Sequence, residues 1–188
     1  MRAQIGHNAN SKRGSTLIEF VLAGSFIFMP LLVGTASIGM SIIRSIQVTA
    51  LNRDAGHLFA GGVDFSQTVN QNLLVKIAGD LSITPGGGNG VVILSEIDGT
   101  GVNQAVVSRR LVIGNASLRA SSYGTPDGID ASGNVTSTDG SATAVNFTPA
   151  VLPMVEGQIA YVAETYFSTS DYNLGGMMPN GIYVWTVF

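Results

Sequence analysis

There is no cysteine in the chain. Disulfide staples, a thiolate nucleophile and a cysteine-based metal site are therefore all excluded. Histidine is almost as scarce: His7 and His57 are the only two, so everything after residue 57 lacks a histidine with which to build a site. Charge is scarce as well, with 11% of residues charged and a net charge of −3. That leaves no strong basic field and argues against a nucleic-acid partner. Nothing gathers a nucleophile, a base and an acid at any local spacing. The chain does not read as an enzyme, and no catalytic, cofactor-binding or metal-binding residue is expected.

What is abundant is glycine, 24 residues of it, and beyond residue 60 serine, threonine and asparagine are common. This is the composition of an exported, loop-rich domain containing β-strands.

One stretch near the start organises the rest. From Phe20 to Ile43 there is no Asp, Glu, Lys or Arg, and Arg44 closes the run. As a helix rising about 1.5 Å per residue it would be about 36 Å long. A hydrocarbon core of about 30 Å requires about 20 apolar residues, so the run suffices for a tilted membrane span. Pro30 lies in its middle, removes one backbone hydrogen bond and predicts a kink. Small residues, among them Gly24, Gly34 and Gly39, are scattered along it and permit close helix approach in lipid.

The segment before the run is polar. It ends in Lys12-Arg13-Gly14-Ser15, and the carboxylate of Glu19 follows just before the apolar stretch. Basic residues here hold the segment in the cytoplasm. A carboxylate at the edge of an apolar helix is costly in lipid and normally has a partner. Thr16 and Glu19 also fit the S/T-x-x-E pattern of a capping box.

Basic residues, a glycine, a short neutral stretch, a glutamate five residues past the glycine and a long apolar helix resemble the class III leader of type IV pilin-like proteins. The resemblance implies that a membrane prepilin peptidase cuts between Gly14 and Ser15, leaving Glu19 as the fifth residue of the mature chain. A buried carboxylate could then meet the free amine of a neighbouring subunit and fix axial register, a role for which buried polar groups are suited. A second point of resemblance follows. Glu19-Phe20-Val21-Leu22, Pro30, Gln47, Arg53, Ala55 and Gly56 match the outline of the TadE/TadG-like pseudopilins of the tight-adherence pilus. The match covers about the first third of the chain, and Asn52 and Asp54 depart from it. It implies a structural minor pilin or pseudopilin, assembled into or priming a pilus for surface adhesion. Its partners would be other pilin subunits, the peptidase, the inner-membrane assembly machinery and membrane lipid.

Two other readings of the N-terminal region stay open. Gly34-Thr35-Ala36 has the small-x-small form of a conventional signal cleavage site, although the apolar run continues two turns beyond it. An uncut anchor would make the chain a single-pass, membrane-anchored, β-rich binding module that joins no pilus.

Beyond Arg44, Ile46, Leu51, Ala55 and Leu58 recur at roughly helical spacing, and Gly61-Gly62 is a plausible stop. Val69, Leu73, Leu74, Ile77 and Leu81 predict a second amphipathic helix over about 65–81, with Ser66 as N-cap. Pro85 to Gly90 reads as a flexible turn, because a phosphate loop would need a following Lys-Ser/Thr and helix. Strands are expected at Val91–Ile97, Gln104–Ile113, Gly157–Ser168 and Ile182–Phe188. In the second of these, Ala105, Val107, Arg109, Leu111 and Ile113 share a face. Arg109-Arg110 reads as a solvated edge. A long exposed loop is expected at about 114–142. Its Asp127, Asp130 and Asp139 lack the calcium-loop spacing and read as turn residues.

The expected fold is α+β: a long N-terminal hydrophobic helix whose first half spans the membrane, a second amphipathic helix, and a small antiparallel sheet of about four strands. The expected organisation is a leader at 1–14, a pilin-like helix at 15–62 with its span at 20–43, and an extracytoplasmic α+β domain at 63–188. That corresponds to a bacterial inner-membrane, single-pass protein that can end up outside the cell in the pilus.

Overall fold

The structure, a computed structural model, describes residues 10–102, 104–124, 126, 128–136, 153–169 and 181–188. It is α+β, and it divides into two compact units, Met1–Ile42 and Ile43–Phe188.

Helix α1 spans Asn10–Ala60, 51 residues. It begins before the expected cut, so Asn10 to Gly14 are helical; once a long helix exists, each added residue gains a backbone hydrogen bond at little cost. Residues 1–9, including His7, lie outside the described residues. Thr16 and Glu19 stand inside α1 rather than at its end, so the capping-box reading does not hold for the uncut chain. Pro30 also lies inside α1, which continues on both sides of it. Nearby, the Ser25 hydroxyl donates to the Val21 carbonyl at 2.8 Å and Thr35 to the Leu32 carbonyl at 2.9 Å. Such back-bonding satisfies polar side chains within an apolar helix.

The helix stops as its glycines predict. Gly62 has φ +88°, a conformation that suits a residue without a Cβ. The Gly62 N–H donates to the Phe59 carbonyl at 2.9 Å and the Val63 N–H to the Leu58 carbonyl at 3.0 Å. Those two bonds make a Schellman motif.

The second half of α1 belongs to the folded unit from Ile43 onward. Its buried face is Val48, Leu51, Asn52, Ala55, Gly56 and Phe59, a helical stripe that turns away from Ile46, which stays 63% exposed. Helix α2, Thr68–Ala78, is continued by the 3-10 turn Gly79–Leu81. It buries Leu74, Ala78 and Leu81, while Val69, Leu73 and Ile77 are exposed. The run of apolar residues is therefore wider than the face that packs. Ser66 does not cap: the N-cap is Gln67, without a side-chain bond. The Ser66 hydroxyl is instead donated to the Asp64 carboxylate at 2.8 Å.

Strands β1 (Ile83–Thr84) and β2 (Gly87–Gly88) form a tight hairpin around Pro85-Gly86, where only a flexible turn was expected. Gly88 has φ +92°, and a Cβ there would run into the Ser82 carbonyl. The main sheet follows the order β4-β3-β5-β6 and is antiparallel throughout. Its strands are β3 (Gly90–Gly101), β4 (Gln104–Gly114), β5 (Ile159–Ser168) and β6 (Gly181–Val187). Asp98 to Gly101, beyond the expected strand end at Ile97, still belong to β3.

One face of the sheet carries Val92, Leu94, Leu111, Ile113, Ala163 and Phe167 against α1 and α2. The other carries a second cluster, Ile97, Ala105, Val107, Ala160 and Val162, together with Met154. Ala105 and Val107 thus lie opposite Leu111 and Ile113, although strict alternation puts all four on one face. The cause is a bulge: Glu96 pairs with Arg109 but Ile97 pairs with Val107, leaving Ser108 unpaired in the register. An extra residue in one strand flips the side chains beyond it.

Candidate functional site

The first candidate is the apolar part of α1. It is the one helix among the described residues long and apolar enough to cross a membrane, and none of its most apolar stretch is buried. Phe20 is 78% exposed, Phe26 79% and Leu32 68%. In water such a surface would be strongly unfavourable; lipid or neighbouring helices are its natural surroundings. Glu19 is exposed on the same helix. Gly14 and Ser15 lie in α1, and their side chains fall outside the description.

The second candidate is the join between α1 and the sheet. Asn52 is fully buried. Its Nδ2 donates to Thr186 Oγ1 at 2.9 Å, and its Oδ1 accepts from the Thr165 hydroxyl at 2.9 Å. This carboxamide pins the helix to β5 and β6 through a donor and an acceptor at once, in a place where an unpaired polar group would be costly. One turn later, Gly56 lets the Phe188 ring lie against the helix backbone; a Cβ there would overlap the ring. Phe188 exchanges both backbone bonds with Tyr161, at 2.8 and 3.1 Å. His57 meets the same ring edge-on, with centroids 4.6 Å apart. That contact gives His57 a packing role, and no group of three His, Asp or Glu suited to a metal occurs among the described residues.

The third candidate is a buried polar clasp on the face of the sheet away from α1. Glu164 of β5 is 1% exposed. Its carboxylate accepts from the Ser121 hydroxyl, from the Ser122 N–H at 2.8 Å and from the Tyr183 phenol at 2.6 Å. Arg110 of β4, 6% exposed, donates to Ser95 Oγ at 3.0 Å, to the Gly124 carbonyl at 2.6 Å and to the Tyr123 carbonyl at 2.5 Å. Arg119 stacks on the Tyr183 ring, 3.7 Å from its centroid. Burial pulls the Arg110 guanidinium below its ordinary pKa, and the negative charge of Glu164 opposes that pull. The Tyr183 phenol is pushed up to about 12, mainly by burial and then by its bond to Glu164. Tyr123 also rises to about 12, by burial and the Glu164 charge.

Residues 121–124 of the expected exposed loop are therefore tied to the sheet. The loop also covers the edge of β4. Arg110 N–H donates to the Gly133 carbonyl at 2.7 Å, and Val135 N–H to the Ser108 carbonyl at 2.9 Å. Covered edges resist pairing with other chains. The Asp130 carboxylate accepts from the N–H groups of Ser132 and Asn134 at 2.8 and 2.9 Å, which fits the turn reading. Asp127, Asp139 and residues 170–180 lie outside the described residues.

Arg109-Arg110 is no solvated pair. Arg110 is buried in the clasp, and Arg109 reaches Asp64 at 2.5 Å, tying β4 to the entry of α2. Hydrogen bonds from Ser66, then the Arg109 guanidinium, hold the Asp64 carboxyl below its ordinary pKa. A lowered carboxyl pKa stabilises the fold above its unfolded value and loses that effect as pH falls through the folded one. Asp64→Asn is therefore expected to flatten the acid side of the stability profile. Identical acid unfolding curves for variant and wild type would rule this out.

No protein-family model, curated protein or solved structure matches the chain.

Proposed function

We propose that the chain is a structural subunit that stacks by its apolar helix: a minor pilin or pseudopilin of the tight-adherence type. A prepilin peptidase removes residues 1–14, and the mature chain sits single-pass in the bacterial inner membrane with its α+β domain outside the cytoplasm. From there it enters or primes a pilus that serves surface adhesion. The observation that carries the reading is the arrangement on one helix of Lys12-Arg13-Gly14-Ser15, the Glu19 carboxylate and an exposed apolar run closed by Arg44. A carboxylate beside lipid is costly, and a neighbouring subunit's new α-amino group carries the charge that would neutralise it. Other subunits, the peptidase, the assembly machinery and lipid are the partners this implies.

The test is Glu19→Ala in the producing cell. The variant is expected to insert in the membrane as well as the wild type but to leave few subunits in sheared fibres. Wild-type recovery from fibres would remove the register role. The second reading, a membrane-anchored binding module, is favoured by the clasp, which holds residues 121–124 as a fixed surface. It predicts a membrane-bound chain that never appears in sheared fibres.

A further inference from the structure

Ile43 ends the charge-free run and is also the first residue of the folded unit. Whatever packs beside Arg44 is therefore tethered next to the boundary of that run. The Arg44 guanidinium donates from Nη1 to the Asp80 carbonyl at 3.0 Å and to Gln47 Oε1 at 3.2 Å, and it lies 5.9 Å from the centroid of the Phe167 ring. Phe167 pairs with Gly90. The next residue, Ser168, donates its N–H to the Asn89 carbonyl at 2.8 Å, and Gly114 donates to the Pro85 carbonyl at 3.2 Å. The end of α2, the β1–β2 hairpin and the last residues of β4 and β5 thus gather at one end of the sheet, around Arg44. The other end, with Val102 and Val155, lies the length of β3 away, about 35 Å at 3.3 Å per residue.

We propose that the Arg44 end of the folded unit rests on the phospholipid surface, with the β1–β2 hairpin and the last turn of α2 in the headgroup layer. This inference rests on the reading of the apolar run as a membrane span. The chemistry of that end fits headgroups. Arg44 and the exposed Lys76 supply cations for lipid phosphates, and Asp80 is the acid beside them. The hairpin tip, Thr84 to Gly87, is uncharged, and Thr84 and Gly86 are exposed. Ile77, 37% exposed, offers an apolar side chain of the kind that enters the interfacial layer. The headgroup layers together add about 10–15 Å to a core of about 30 Å, room for a hairpin tip and a helix turn but not for the whole sheet.

Because the chain has no cysteine, single introduced cysteines report cleanly. The full chain, carrying Thr84→Cys, Val102→Cys or Gly34→Cys with a fluorescent label, is reconstituted in vesicles of phosphatidylethanolamine and phosphatidylglycerol. Nickel-chelating headgroup lipid quenches labels near the surface, and brominated acyl chains quench labels in the core. The label at residue 84 is expected to be quenched by nickel several-fold more than the one at 102, with the label at 34 quenched by bromine. Equal nickel quenching at 84 and 102, with residue 34 in the core, would overturn the surface contact and leave the span standing. No bromine quenching at 34 would overturn the span and the contact together.

Discussion

Truncating Glu164 to alanine should destabilise the folded unit by about 3 kcal/mol or more. The carboxylate is 1% exposed and accepts from Ser121, Ser122 and Tyr183. Removing it takes the acceptor from the Ser121 hydroxyl and the Ser122 N–H, leaves the Tyr183 phenol only Ser122 Oγ at 2.9 Å, and deprives the buried Arg110 of an opposing charge. Each unsatisfied buried group costs about 1–3 kcal/mol, and an uncompensated charge costs more. The effect of Glu164→Gln should be smaller, because a carboxamide oxygen still accepts. The measurement is urea unfolding of the full chain in detergent, with the midpoint falling from wild type to Gln to Ala. A separate signature follows from the phenols. Tyr123 and Tyr183, both held at about 12, should titrate nearer the ordinary value of about 10 in the alanine variant. Their raised pKa values stabilise the wild-type fold fully below about pH 10, an effect lost as pH rises towards 12. An alanine variant with a wild-type midpoint and unchanged phenol absorbance titration would show that the clasp holds nothing.

A second large loss is expected from Gly56→Leu. Leucine in place of glycine within a helix normally gains up to about 1 kcal/mol. At Gly56 the sign reverses, because a Cβ would overlap the Phe188 ring. That ring cannot simply leave: its backbone is bonded to Tyr161 in both directions, and its edge packs on His57. Overpacking costs about 1–3 kcal/mol and more when backbone must move, so a net loss of about 2 kcal/mol is expected, read as a lower melting temperature. Gly34→Leu is the control, since nothing lies within 4 Å of a Cβ there. Removing the ring as well, in Gly56→Leu with Phe188→Ala, should cost less than the sum of the two single changes. A Gly56→Leu protein as stable as its control would refute the close packing.

These two sites also show where sequence reading stops. The apolar run, the Gly62 stop, the β3–β4 hairpin and the aromatic last strand each follow from local pattern, and all stand in the structure. Asn52 and Glu164 do not announce themselves. Asn52 bonds to residues 113 and 134 positions away, and Glu164 to one 43 positions away; no local spacing encodes such partners. Beside Arg109, Arg110 has the look of surface charge in the sequence, whereas a β-strand sends the two to opposite faces. The bulge at Ser108 hid the two-sided core, since a single inserted residue reverses the alternation with no compositional mark. On α2, Val69, Leu73 and Ile77 have the period of a buried face but stay exposed, because the apolar arc is wider than the contact it makes.

The central claim is that residues 1–14 are cut away to free an amine next to Glu19. The most direct test is the intact mass of the chain recovered from membranes and sheared fibres of the producing cell. A polypeptide beginning at Ser15 is the predicted result. A fibre-associated chain that still begins at Met1 would contradict the account.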